Sequence, residues 1–521
     1  MRHIAKRLSA LLAALLLAGL AACGSKEAAP PEAVLRDRML RLPTLSLPYT
    51  FNPVAVYEGA EPISENLFSK ALKLNAAGQV IPDLAELYEY NEDCTRLTLT
   101  FRRAVKWHDG ELCTAYDAEW TYQAIRTQQG LLASQFADVR SVRAADSSRL
   151  EIEFAKPSPF FIYTLTEDGA CILPKHLYEG RDWLTAEAAT TPVGTGPFRF
   201  VERVEGERVV LERNSDYFGG TPKIQRILFQ LYPSAAEARA AFDRGELEAL
   251  TTGLPLSAVQ QQEEKREVNL FKIDDATRIL LCFNEQSALF KDNPQLRRAI
   301  AQAVDREAIL QEGMRGVGAA SYSFISPLFQ DALSATAVVP AHNPAKAVEQ
   351  LASKYDKGED GNYVRATLKV YDAEPYVEIA AILKRNLDEV GVEVTVIPMD
   401  FNEWQETVFT QGDFEMTLYG GYQGPYAEAI LHRVAIDGQL NFTGYHNAAL
   451  SDKLYEAFYE PLPGRRNSLM RDVQDILAQQ LPMLPIAEWY TVIPVRSYVT
   501  DPPQGDSTVS ANEYSKAELH S

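Results

Sequence analysis

Leu368-Lys369-Val370-Tyr371-Asp372, the segment from Tyr376 to Val390 stopped by Gly391, and Val392-Glu393-Val394-Thr395-Val396 decide the fold class. An apolar run of strand length, a helix-length segment and a second strand make a βαβ unit, expected to cross over right-handed. Just downstream, Gly412 to Tyr419 alternates Phe414, Met416 and Leu418 before the Gly-rich turn at Gly420 and Gly421, a further strand. Working back toward the N-terminus, Asn293-Pro294 caps and starts a helix with Leu296, Ile300, Ala303 and Val304 at helical spacing. Thr95 to Phe101 alternates Leu97, Leu99 and Phe101 with polar residues, the period of a half-buried strand. Trp107-His108-Asp109-Gly110 then reads as a turn, and Thr114-Ala115-Tyr116-Asp117 as a capping box opening a helix in which Trp120, Ala124 and Ile125 share a face. Sheets flanked by helices thus recur in both halves, an α/β chain.

The chain has 521 residues with 51 Lys+Arg against 71 Asp+Glu, a formal net charge of -20. Phosphate recognition needs clustered positive charge, so nucleic acid is excluded as a partner. With 46% hydrophobic and 23% charged residues the composition is that of a globular protein with a sizeable core, and the length suggests roughly three compact units.

Arg2, Lys6 and Arg7 precede Leu11 to Leu20, a run of only Leu, Ala and Gly, which is the layout of a secretory signal. Ala10 to Ala22 is 13 residues, short of the ~20 a permanent membrane helix needs. Leu20-Ala21-Ala22-Cys23 resembles the bacterial lipobox, which makes Cys23 the expected lipidation site and the mature N-terminus; an ordinary cleavage site beside a cysteine is the alternative. Gly24 to Glu32 reads as a flexible tether. Acyl chains must then hold the acidic body to the membrane, because anionic lipid repels it. Four cysteines remain. Cys171 and Cys282 lie in apolar runs suited to buried thiols, and Cys94 and Cys113, flanking one β-rich stretch, are the expected disulfide if there is one.

Several long motifs now point one way. Gln79-Val80-Ile81-Pro82-Asp83-Leu84-Ala85-Glu86, Thr98 through Gly110, Thr114-Ala115-Tyr116-Asp117, Pro192-Val193-Gly194-Thr195-Gly196-Pro197-Phe198, Asn214-Ser215-Asp216-Tyr217-Phe218-Gly219-Gly220, and Phe283-Asn284 followed by Leu296-Arg297-Arg298-Ala299-Ile300 closely resemble the extracellular solute-binding protein family 5. These are the peptide and nickel type receptors of ABC importers. The resemblance implies a two-lobed periplasmic-binding-protein-like α/β fold (type II, cluster C) with an additional α+β domain inserted in lobe one. The leader accounts for 1–22 and the tether for 23–33; by the resemblance, lobe one is discontinuous over 34–66, 192–286 and 487–521, the extra domain is 67–191, and lobe two is 287–486. Crossovers are expected near Phe283-Asn284-Glu285 and Pro485-Ile486-Ala487. A ligand buried between two rigid lobes loses its water and strengthens every polar contact, and its affinity sets the closed population.

Most of the strong motifs read as structural. The Trp107 to Gly110 stretch needs turn residues more than a catalytic His-Asp pair, and Pro192 to Pro197 lacks the lysine and helix of a phosphate loop, so it is a sharp bend. The cleft candidates come mainly from lobe two, carried over by resemblance to peptide-binding relatives: Trp404 as an aromatic lining residue, and Gly421, Tyr422, Tyr426 and Glu428 from Gly420 to Glu428. There the relatives carry Gly-Trp and then an Asp for the peptide's α-ammonium; here Tyr422 replaces the Trp and Pro425 stands where the Asp is expected. Either Glu428 substitutes or the ligand presents no free amine there, since a buried ammonium without a counter-ion is costly. From lobe one Asn52, Tyr57 and Glu58 are candidates, with Asn284 at the crossover.

The seven histidines include no pair three to five apart and no cysteine neighbour, so no structural metal site is expected, although one could still touch a nickel chelate. No Gly-x-Ser-x-Gly, His-Glu-x-x-His or Walker pattern occurs, and the chain is read as a non-enzyme without a cofactor. The expectation is a monomeric, membrane-anchored extracytoplasmic lipoprotein that delivers a peptide or peptide-like solute to ABC permease subunits. The alternatives are a receptor for nickel chelate or another organic solute, and a secreted lipoprotein hydrolase whose carboxylates meet only on folding.

Overall fold

Two long strands, Val268–Phe283 and Met483–Arg496, run side by side through the molecule and organise everything else. The computed structural model describes residues 38–55, 61–75, 78–128, 130–503 and 513–520; the leader, Cys23 and the tether lie outside them. Among the described residues, the first half of Val268–Phe283 and the second half of Met483–Arg496 pair with each other and, through Leu250 N to Pro494 O and Leu254 N to Val492 O, with the segment 248–254. That segment leads to a four-stranded sheet ordered Met39–Thr44, Arg226–Leu231, Arg208–Arg213, Phe198–Val204. From Thr277 onward Val268–Phe283 gains a second neighbour, Met416–Tyr422, and the sheet continues through Val364–Tyr371 to Val392–Met399. Between Asp274 and Thr277 the register shifts at a bulge, with Ala276 at φ +50. A bulge bends a strand and strengthens its twist, and here it marks where the strand takes up its second neighbour.

The second lobe is built as its sequence reads. Val364–Tyr371 and Val392–Met399 are parallel, joined by the helix Tyr376–Glu389, whose Ile379, Ala380, Leu383 and Leu387 bury one face. Gly391 follows at φ +84, where a side chain would be strained. The strand read from Gly412 begins later, at Met416, because Gly412 is itself left-handed and Asn284 ties its carbonyl into a loop.

A second four-stranded sheet, Ala85–Tyr90, Arg96–Phe101, Arg149–Phe154 and Val139–Ala144, is wholly antiparallel and carries the helix Ala115–Thr127. The capping box forms: the Asp117 carboxylate accepts from Thr114 N at 2.8 Å. Trp107 to Gly110 makes the turn, with Gly110 at φ +100 donating to Trp107 O. His108 and Asp109 are not a pair. Asp109 meets His176 at 2.8 Å, while His108 Nδ1 accepts from Gly194 N and Nε2 donates to Gly196 O, each at 3.1 Å. That pattern fixes a neutral ring, and burial pushes its pKa down to about 4. The bend it holds passes so close to Leu67 that a Cβ on Gly194 would lie 1.8 Å from the Leu67 carbonyl oxygen.

Cys94, Cys113, Cys171 and Cys282 are four buried free thiols, which corrects the expected Cys94–Cys113 bridge. Cys94 closes the turn from Asn91 at positive φ and its carbonyl accepts from Ser158 N, whereas Cys113 packs in the core under the helix Ala115–Thr127. Among the described residues no helix is long and apolar enough to cross a membrane.

Candidate functional site: a cleft at the strand ends

Three parallel strands of the second lobe, Val364–Tyr371, Val392–Met399 and Met416–Tyr422, end at the same edge of their sheet. The crevice beyond the carboxyl ends of parallel strands is where open α/β sheets bind ligands, because the backbone diverges there and loops supply side chains. Here it opens onto a cavity of about 650 Å³ between the two lobes. Tyr371, Tyr376, Gly420 and Gly421 line it from the second lobe; Thr252, Gly253, Leu254, Pro255 and Arg239 line it from the first; Thr277, Trp489 and Thr491 form the floor. Its size is that of a small-molecule pocket.

Small residues make that space. A Cβ on Gly420 would sit 1.9 Å from the Tyr376 hydroxyl, and Gly421 has φ +139 with open space where its Cβ would be. Around them the walls are aromatic. The rings of Tyr371 and Tyr376 lie 4.1 Å apart, and Tyr376 is 6.1 Å from Trp489. Phe401, 56% exposed, stacks at 6.2 Å on Trp404, which stacks in turn on Tyr419 at 6.1 Å and 5°. Offset aromatic arrays of this kind are worth about 0.5–1.5 kcal/mol per pair beyond burial, so the wall is stiff before any guest arrives. Arg239 is the one charged side chain among the described lining residues.

On the opposite face of the crossing strands, Arg278 Nε donates to Glu488 Oε1 at 3.0 Å and Ser321 Oγ donates to the same oxygen at 2.6 Å, while the Arg278 Nη2 group meets Ser321 and Ser323 O. Burial raises the Glu488 pKa and lowers that of Arg278, and each partner offsets the other. Such a buried pair contributes little net stability, but it pins the two strands in register where they pass between lobes.

The residues singled out from the sequence separate into groups. Gly421 lines the cavity, and Tyr422, 40% exposed, ends the same strand with its carbonyl accepting from Arg433 Nη2 at 2.8 Å. Trp404 is buried behind the wall, its indole N–H donating to Thr417 Oγ1 at 2.9 Å. Asn284 ties loops together, donating to Gly412 O at 3.0 Å and Phe414 O at 2.7 Å. Asn52 is buried and donates to Trp183 O at 2.9 Å. Tyr426 and Glu428 turn to the loop after strand Arg149–Phe154: Tyr426 stacks on Phe160, and Glu428 lies 3.7 Å from Arg466. Burial raises the Glu428 pKa to about 7. Tyr57 and Glu58 fall outside the described residues. Tyr371 and Tyr376 carry a signal that sequence reasoning passed over, since Tyr371 ends the first strand of the βαβ unit and Tyr376 opens its helix; Arg239, Gly253 and Trp489 carry none, being brought in from distant segments.

No group of three or more His, Cys, Asp or Glu side chains among the described residues could hold a metal ion.

Residues 79–432 match the family described as bacterial extracellular solute-binding proteins, family 5. The oligopeptide-binding protein AppA of Bacillus subtilis is 27% identical over 428 residues, 78% of each chain. Among solved structures, the ABC transporter substrate-binding protein CtaP of Listeria monocytogenes superposes with a TM-score of 0.82 at 23% identity, over 93% of this chain and 99% of that one. NikZ of Campylobacter jejuni in complex with Ni(L-His) gives 0.73 at 21% identity, over 92% and 97%.

Proposed function

The chain belongs to the bacterial extracellular solute-binding proteins, family 5, and from that premise we propose that it is the substrate-binding lipoprotein of an ABC importer, carrying a peptide or peptide-like solute. The observation that carries the reading is the interlobe cavity at the ends of three parallel strands, walled by Tyr371 and Tyr376 and floored by the crossing strands with Trp489. A guest there touches both lobes, so its binding energy holds them together, and a permease can recognise the closed form whatever the guest's chemistry. Hydrolysis of ATP belongs to separate subunits. Gly421 and Tyr422 supply backbone groups at the mouth, Trp404 stiffens the wall, and Arg239 meets an anionic end of the guest. Pro425 carries no carboxylate and Glu428 is engaged with Arg466, so the guest needs no free α-ammonium. Tyr57 and Glu58, by the family resemblance, complete the lobe-one side. In this reading the lobes follow the boundaries 34–66, 192–286 and 487–521 against 287–486, with 67–191 inserted, and the monomeric body hangs from lipid on Cys23.

Native mass spectrometry of the purified chain should find a retained small solute. Thermal shifts should then be equal for free and N-acetylated peptides, because a bound native state melts higher in proportion to affinity; a strong preference for free amines would refute the amine-independent site. A nickel chelate is the second reading, favoured by the likeness to NikZ. A chelate brings its own ligands and needs no protein metal cluster, and metal analysis of gently purified protein decides for it.

A further inference from the structure

The loop between strand Arg149–Phe154 and the helix Phe161–Thr164 is held rigidly to its own sheet. Ala155 N donates to Asp138 O, Ser158 N donates to Cys94 O at 2.9 Å, the Tyr90 hydroxyl donates to Ser158 O at 2.8 Å, and the ring of Phe161 packs edge-on to Phe154 at 4.9 Å. The loop holds two side chains against the second lobe. Phe160 stacks on Tyr426 with ring centres 4.2 Å apart and planes within 18°, lies 5.5 Å from Phe458, and has the Arg466 guanidinium 4.9 Å from its ring centre. Lys156 lies 4.2 Å over the ring of Tyr459 and donates to its hydroxyl at 2.5 Å. Tyr163 adds a tilted ring contact with Tyr426 at 5.2 Å.

The second-lobe side is equally prepared. Arg466 donates to Glu460 O at 3.0 Å and sits beside Glu428, and Tyr426 leads directly into the buried turn Ala427–Ile430. None of Phe160, Tyr426, Phe458, Tyr459 or Arg466 lines the interlobe cavity. Covalently, the second lobe is joined to the rest only through the chain near the two crossing strands, so a rotation about those strands must part these rings. We propose that the second antiparallel sheet is a working jaw: its Phe160–Lys156 loop clasps Tyr426, Tyr459 and Arg466 when the lobes close, and the clasp raises the closed population independently of the guest.

The physical consequence is specific. When only the closed state binds tightly, apparent affinity scales with the fraction closed. A contact that stabilises closure without touching the guest changes every guest's affinity by one common factor, whereas a lining residue changes each by its own. The ring stacking and the cation over Phe160 both need a partner that opening removes.

The test rests on the receptor reading in only one of its two arms. In the first, small-angle scattering compares the full mature chain, without added solute, with Phe160→Ala, Tyr426→Ala and Lys156→Met; each should show a larger radius of gyration with an unchanged melting cooperativity, and Tyr426→Phe should keep the wild-type profile. In the second, dissociation rates of three peptides of different sequence should rise about tenfold in Phe160→Ala, by the same factor for each. Unchanged scattering in all three loss variants overturns the proposal even if no peptide ever binds. A rate change that differs from peptide to peptide also overturns it, by making Phe160 a guest contact. If no peptide binds the wild type while the scattering differences appear, the peptide reading fails and the clasp stands.

Discussion

The backbone N–H of Ser257, at the start of a first-lobe helix, donates to Glu374 Oε2 of the second lobe at 3.1 Å. Pro255 and Tyr376, each two residues from one end of this bond, both line the cavity, so the bond bridges the cleft at its rim. A carboxylate on a helix N-terminus is favoured by the exposed N–H groups and the helix dipole, by about 0.3–1 kcal/mol when partly exposed. Glu374→Ala should therefore speed guest release about two- to fivefold with little change in thermal stability, which stopped-flow dissociation measures.

Trp489 faces the cavity and Trp404 does not, although both sit in aromatic clusters. Trp489→Phe should abolish most of the guest-dependent change in intrinsic fluorescence. Trp404→Phe should keep that change and cost about 1 kcal/mol of stability through the lost bond to Thr417. Urea melts and a fluorescence titration separate the two.

Arg239 is the sole cation facing the described part of an otherwise uncharged wall. Arg239→Gln should weaken free-acid peptides about tenfold while leaving C-terminally amidated peptides unchanged, as isothermal titration of matched pairs would show. Equal losses for both forms would assign it to packing.

Two buried groups give opposite pH signatures. His108 has its folded pKa lowered to about 4 by burial from an ordinary value near 6.5, so the stability it contributes is present above pH 6.5 and is lost as pH falls toward 4. Glu428 has its pKa raised to about 7 from 4.5 by burial, so the folded form prefers the protonated acid. Its contribution is full below pH 4.5 and is lost as pH rises through 7, about 3 kcal/mol at most. Glu428→Gln should remove the alkaline-side loss between pH 4.5 and 7 and leave the acid-side loss intact, as denaturant melts across that range would show.

The parts of this molecule that local spacing controls were legible in its sequence. The βαβ unit at 364–399, the Thr114–Asp117 capping box, the Asn293 N-cap and the turn at Gly110 depend on neighbours within a few residues. The cavity depends on no such neighbourhood. Arg239, Gly253, Tyr376, Gly420 and Trp489 come from five segments, and the spacing that unites them is a property of two crossing strands and a bulge. Resemblance reached Gly421 and Tyr422, which the structure places at the end of a strand, yet the direction in which Tyr426 and Glu428 point was set by Phe160 and Arg466, which no periodicity announces. The Cys94–Cys113 pairing failed for a related reason: nearness in sequence across a strand does not bring two thiols together when one lies at a turn and the other beneath a helix.

The central claim is that the two lobes enclose one small solute and return it unaltered. Native mass spectrometry of the purified mature chain, followed by release of the guest in denaturant and determination of its mass, tests this most directly. One solute per chain, recovered at the same mass after repeated rebinding, is the predicted result. A chain that never carries a solute from any supplied mixture, while a covalently changed product accumulates in solution, would contradict it.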